Sequence, residues 1–154
     1  MFYVCPCQSK LAYDECCKPF HFAQKLPITA EELMRSRYSA YTKVNIDYIV
    51  RTTLPAQQSW LDLKAIKDWS QKTQWIGLDI ISNQENVTKI HSIVEFRTYF
   101  NTEDGVQIHH ECSLFVNVDD RWYFFDPTVP MPAMKKLCIC RSGKRFKDCC
   151  GRWI

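Results

Sequence analysis

The chain reads as an α+β protein, with helices laid on one face of an antiparallel sheet and a small metal-binding knuckle at each terminus. Three observations carry that expectation. The pattern Cys-x-Cys, eight residues, Cys-Cys occurs twice, at Cys5, Cys7, Cys16 and Cys17 and again at Cys138, Cys140, Cys149 and Cys150. Between the two sets, apolar residues first recur at three- and four-residue intervals and then, from Trp75 onward, alternate. A hydrophobic content of 46% and an aromatic content of 14%, with only four glycines in the chain, demand a packed core and argue against disorder. A length of 154 residues suffices for one ordinary domain with two small appendages.

The cysteine sets match beyond their ligands. Ser9 corresponds to Ser142, Tyr13 to Phe146 and Glu15 to Asp148. Four soft ligands in a thirteen-residue window suit one tetrahedral Zn2+. Disulfides are the competing use, but nine cysteines in 154 residues fall below the roughly 8–10% of a disulfide scaffold. They also avoid the middle of the chain, where bridges would staple a core. The start, Met1 to Cys7, has neither the basic nor the apolar region of a secretion signal, so a reducing cytoplasm is expected and metal ligation favoured. Cys16-Cys17 and Cys149-Cys150 would make strained vicinal bridges if oxidised, yet as thiolates each pair can face one metal from a tight turn. His21 stands close enough to substitute as a ligand, although four cysteines already complete the set. Gly143 sits where a knuckle turn would need positive φ, and Lys144, Arg145 and Lys147 help keep the thiolates deprotonated. Bound metal would hold together segments too small to bury a core of their own.

The stretch from Cys138 to Gly151, Cys-x-Cys-x-Ser-Gly-Lys-x-Phe-Lys-x-Cys-Cys-Gly, resembles the SEC-C motif, named for the zinc-binding C-terminus of the SecA translocation ATPase. The resemblance implies that Cys138, Cys140, Cys149 and Cys150 are zinc ligands. The N-terminal copy keeps its ligands but departs elsewhere: Gln8 and Lys10 stand where the family usually has glycines, and Lys18 follows Cys17 in place of glycine. Its turn geometry is thereby put in question.

In chain order, Thr29-Ala-Glu-Glu32 is a capping box in which Thr29 and Glu32 serve each other's orphan amides. Leu33, Met34, Arg37, Tyr38, Tyr41 and Val44 then predict a helix of about 15 residues at the helical repeat. A second helical piece is expected over Asp47–Thr53, closed by Pro55, and a third after the Ser59–Asp62 cap, with Leu61, Ala65, Ile66 and Trp69 on one face. Strands follow over Trp75–Ile81, Val87–Phe100, Val106–Val118 and Arg121–Asp126, with a hairpin turn at Asn101–Gly105. Pro127, Pro130 and Pro132 read as an extended linker into the C-terminal knuckle. Helices followed by hairpins give the α+β class.

Glu32-Leu-Met-Arg-Ser-Arg-Tyr-Ser-Ala-Tyr41, His110-Glu-Cys-Ser-Leu-Phe115 and Arg121-Trp-Tyr-Phe resemble the YchJ family of bacterial proteins, essentially over the whole chain. That resemblance implies a nuclear-transport-factor-2-like middle, a strongly curved sheet closing over helices into a cone. The expected division is residues 1–22 and 134–154 for the knuckles and 27–128 for the cone.

Cone folds hold a pocket between sheet and helices. Alternation splits the third strand into Ile108, His110, Cys112 and Leu114 on one face and His109, Glu111, Ser113 and Phe115 on the other. A pocket of Glu111 and Ser113 with Arg35 or Arg37, Tyr38 and Tyr41 is therefore a candidate, catalytic if Glu111 and an arginine work as an acid–base pair. The competing reading is a buried Glu–Arg pair that ties helix to sheet. His109 and His110 point to opposite faces and cannot share a metal. Cys112, the ninth cysteine, is expected to be a small buried apolar residue, with a thiol nucleophile beside His110 as the alternative. Trp60, Trp69, Trp75 and Trp122 are expected in the core.

Closed four-cysteine sites leave no position for water or substrate, so structural rather than catalytic zinc is expected. Seven basic residues against one acid from Lys135 to Arg152 suit docking to an acidic protein or ribosomal partner, as the SecA resemblance implies. The alternatives are an enzyme or small-molecule binder using the cone, and an RNA-binding protein stacking bases on Phe146 and Trp153. Net charge of +3 does not by itself imply nucleic acid, and no apolar run approaches the roughly 20 residues of a membrane span.

Overall fold

A computed structural model describes residues 3–154. The first short helix, α1 (Lys18–His21), follows the N-terminal cysteines directly. The main helix, α2 (Ala30–Thr42), starts at Thr29, whose Oγ1 accepts from the Glu32 amide at 3.1 Å. The capping is completed from across the fold. The Glu85 carboxylate accepts from the Ala30 amide at 2.6 Å, placing a negative charge at the positive end of the helix. Next come α3 (Ile46–Arg51), capped by Asn45, a 3-10 turn over Pro55–Trp60, and α4 (Leu63–Lys72), capped by Asp62.

The sheet is an open antiparallel meander in the order β1 (Gln74–Gln84), β2 (His91–Thr102), β3 (Gly105–Val118) and β4 (Arg121–Phe124). The second strand begins at His91 rather than Val87, because residues 87–90 turn to bring Glu85 to α2 and Asn86 to Ser92, whose Oγ accepts the Asn86 amide at 2.8 Å. Register shifts at Trp75/Gly77 and Ile80/Ser82 interrupt the β1 ladder, the usual way a strand is bent. The β2–β3 hairpin turns on Glu103-Asp104, with Gly105 at φ +102°.

Two apolar layers use opposite faces of the sheet. Leu33, Met34 and Tyr38 of α2 pack on Leu78, Val94, Phe96, Phe115 and Trp122. On the other face Leu114 and Val116 join Leu54, Phe125, Phe146 and all four C-terminal cysteines in one buried cluster. The C-terminal knuckle is thus a layer of the core, not an appendage on a proline linker. The N-terminal knuckle is equally tied in. Arg35 Nη1 donates to the Cys7 carbonyl at 2.7 Å, and the His21 ring meets the Ser36 carbonyl at 2.8 Å, both on α2. The order across the molecule is knuckle, helix, sheet, knuckle. Of the expected core tryptophans, Trp122 is buried but Trp60 and Trp69 are 61% and 46% exposed, since the first ends a surface turn and the second rims a cavity.

Candidate metal centres and the central cavity

Each cysteine set converges. In both, one sulfur from every cysteine lies within 4.8 Å of the other three. Cys7 and Cys16 sulfurs are 3.5 Å apart, Cys16 and Cys17 3.9 Å, and Cys140 and Cys149 3.4 Å. Four sulfurs about 2.3 Å from a central ion would stand about 3.8 Å from one another, so the donor set and its spacing fit a tetrahedral thiolate site. All nine cysteines are unbridged. Four packed thiols cannot all ionise unaided. At the N-terminal site hydrogen bonds from Cys17 and Cys5 pull the Cys7 thiol down to about 2, while Cys17, which supplies one of them, is pushed far up. The C-terminal site repeats this, with Cys140 held down and Cys150 pushed up. A cation relieves that conflict by letting every sulfur lose its proton.

The two knuckles are built alike. Isolated bridges pair Val4 with Ala12 and Leu137 with Arg145. The first ligand's amide donates at 2.8 Å in both, from Cys5 to the Leu11 carbonyl and from Cys138 to the Lys144 carbonyl. Ser9 Oγ lies 3.2 Å from the Cys16 sulfur and Ser142 Oγ 3.1 Å from the Cys149 sulfur. Each serine oxygen also accepts a backbone amide, from Leu11 and Lys144, leaving its hydroxyl proton for the thiolate. Gly143 has the expected positive φ of +85°, and Gln8, Lys10 and Arg141 hold +69°, +71° and +67°. The non-glycine residues of the N-terminal copy therefore adopt the same turn, at a cost in strain rather than in shape.

His91 is the residue that sequence reasoning missed. It is buried, its Nε2 lies 3.3 Å from the Cys150 sulfur and its Nδ1 2.7 Å from Thr88 Oγ1. Thr88 Oγ1 accepts from the Ile90 amide at 3.2 Å, and in the tautomer in which its hydroxyl donates to Nδ1 the ring would turn Nε2–H toward the sulfur. Burial holds the imidazole below its usual pKa, which favours the neutral ring. The only available signal was strand parity, which puts His91 on the same outer face as Ile93. His21 is not a ligand: Tyr13 Oη bonds its Nδ1 at 2.8 Å, and its Nε2 faces the Ser36 carbonyl.

Between α2 and the sheet lies a cavity of about 270 Å³ lined by Arg37, Tyr38, Tyr41 and Glu111 among others. His109, Thr98, Trp69 and Trp75 also line it, although sequence reasoning had not placed them there. Arg35 is elsewhere, bonded to Cys7 and Glu31, because it lies on the helix face that meets the N-terminal knuckle. Ser113 is buried with its hydroxyl unpartnered and does not reach the cavity. The expected Glu–Arg tie is not made. Arg37 Nη1 instead donates to the Ile49 carbonyl at 2.9 Å and to Thr52 Oγ1 at 2.7 Å, while Glu111 lies 3.6 Å from His109. His110 is on the outer face, 2.6 Å from Glu95. Cys112, expected in the core, is exposed on that same outer face, beyond the area the C-terminal knuckle covers. Phe146 is buried and stacked on Phe125, centroids 6.1 Å apart, so it offers no surface to a base.

The family model described as the YchJ middle domain, nuclear-transport-factor-2-like, matches residues 29–127, and the SEC-C motif matches 134–152. A UPF0225 protein of Actinobacillus succinogenes is 53% identical, with 98% of each chain covered. A UPF0225 protein of Haemophilus influenzae is 51% identical over 97% of this chain and 92% of that one. The crystal structure of a SEC-C motif containing protein from Psychrobacter arcticus superposes with a TM-score of 0.93 at 46% identity, covering 98% of this chain and 97% of that one. The solution structure of a SEC-C motif containing protein from Rhodopseudomonas palustris gives 0.73 at 34%, covering 82% and 96%.

Proposed function

This chain belongs to the YchJ family, and on that premise we propose that it is a cytoplasmic zinc protein whose knuckles dock a protein or ribosomal partner. The observation that carries the metal reading is the convergence of four sulfurs in each set within 4.8 Å. Thiolate-only coordination favours zinc over harder ions, and it closes the site. Cys5, Cys7, Cys16 and Cys17 hold one ion and Cys138, Cys140, Cys149 and Cys150 the other. Zinc there fixes the chain path and supplies no catalysis.

The docking reading is supported by charge placed beside the metal. Lys144, Arg145 and Lys147 are exposed around the C-terminal knuckle. A groove of about 620 Å³ runs between that knuckle and the β2–β3 end of the sheet, lined by Lys89, Arg141, Lys144 and Arg152 against Asp119 and Asp148. Such a surface attracts an acidic partner. Two measurements test the proposal. Metal analysis of reduced protein should give close to two zinc per chain. Reversing Lys144, Arg145 and Lys147 to Glu should abolish co-purification of the partner while leaving the zinc content at two. Unchanged partners, or partners lost on nuclease treatment alone, would overturn the protein-docking reading.

A further inference from the structure

Arg37 is 5% exposed, and its guanidinium has no carboxylate within 4 Å among the described residues. Nη1 is fully used by the Ile49 carbonyl, Thr52 Oγ1 and Thr53 Oγ1. Nε and Nη2 have no protein acceptor among the described residues, and the plane is held against the Phe124 ring, 4.4 Å from its centroid. A guanidinium remains charged at any working pH; burial works against that charge, and the Asp126 and Glu111 carboxylates favour it only from beyond bonding distance. Anchoring α3 uses one of its nitrogens, and the same side chain lines the cavity. The rest of that cavity is largely aromatic, with Trp75 and Trp69 edge to face at 5.5 Å. Glu111 lines the same space without pairing with Arg37.

From these groups we infer that the central cavity is a binding site for a planar aromatic monocarboxylate, its carboxylate paired with Arg37 and a hydrogen-bond donor on the ring received by Glu111. The two free nitrogens suit the two oxygens of a carboxylate. The aromatic walls suit a flat apolar body, and a volume near 270 Å³ lies at the small end of ligand cavities, which limits the occupant to one or two rings. The Glu111 charge disfavours a second anionic group on the ligand. The site is separate from both metal centres and goes beyond the docking role proposed above.

The test uses zinc-loaded full-length protein, with 4-hydroxybenzoate and its uncharged analogue 4-hydroxybenzamide as probes. Trp69 and Trp75 line the site, so tryptophan fluorescence and indole N–H shifts report occupancy. The carboxylate should bind saturably with Kd of about 1 mM or tighter, and the amide about tenfold or more weakly. The Trp69 and Trp75 indoles should shift while that of Trp60 stays still. Arg37→Lys should weaken the carboxylate about tenfold and the amide little. Because that variant also loosens α3, Glu111→Gln serves as a second probe, retaining carboxylate binding but losing the preference for 4-hydroxybenzoate over benzoate. Equal affinity for acid and amide, shifts outside the cavity, or no saturation by about 10 mM would overturn the assignment.

Discussion

Lys10 shows how a single backbone angle separates two copies of one motif. It occupies the position of Gly143 and holds φ at +71°, where a side chain costs about 1 kcal/mol relative to glycine. Lys10→Gly should therefore stabilise the N-terminal knuckle by about 1 kcal/mol, seen as a higher thermal midpoint and slower zinc extraction by a chromogenic chelator. An unchanged extraction rate would show that the turn is not strained. The converse site is Gly151. A Cβ there would sit 2.6 Å from the Phe146 carbonyl oxygen, and backbone cannot swing aside. Gly151→Ala should cost about 1–3 kcal/mol by overpacking, measured as a fall in denaturant midpoint at constant m-value. Lys18 is tolerated at the matching N-terminal position because the chain there enters α1, whereas after Cys150 it tightens into a 3-10 turn.

At the level of elements, local signals were the legible ones. The Thr29 and Asp62 caps start helices, and the long alternating runs are β2 and β3. Contacts made between distant segments left no local trace. Glu85 completes the α2 cap from 55 residues away, and His91 reaches Cys150 across 59. The expected Glu111–Arg pair failed for the same reason. Alternation grouped Glu111 with His109 but left open which face is inward, and only the fold decides that and the turn of Arg37 toward the end of α3. Both distant contacts can be tested. Glu85→Ala removes the carboxylate from the α2 N-terminus and should lower stability by about 1 kcal/mol, read from chemical denaturation. His91→Phe fills similar space but cannot donate to sulfur. It should lower zinc affinity about 10- to 100-fold at the C-terminal site alone, resolved by competition titration showing one weakened and one unchanged ion.

Over the whole molecule, the knuckles bracket a single core from both sides, and metal loss should reach well beyond the termini. Phe146 and the cysteines Cys138, Cys140, Cys149 and Cys150 share a buried cluster with Leu114 and Val116 on the outer face of β3. Emptying that site would leave four mutually repelling or protonated thiols in place of a rigid cross-link, and would free the segment that shields those strands from water. The N-terminal knuckle covers a different surface, the side of α2 that carries Arg35 and Ser39, where Cys5 lies 3.8 Å from Ser39 Oγ. Chelation of both ions should therefore lower the thermal midpoint of the entire chain in one cooperative transition, with the near-ultraviolet signal of buried Trp122 lost in the same step. Selective damage separates the two contributions. Cys138→Ser should increase hydrogen exchange chiefly along β3, and Cys5→Ser chiefly along α2. If both substitutions changed exchange only within the first and last twenty or so residues, the knuckles would be independent appendages after all. The opposite is expected, because the C-terminal knuckle shares a buried cluster with β3 and the N-terminal knuckle is hydrogen-bonded to α2.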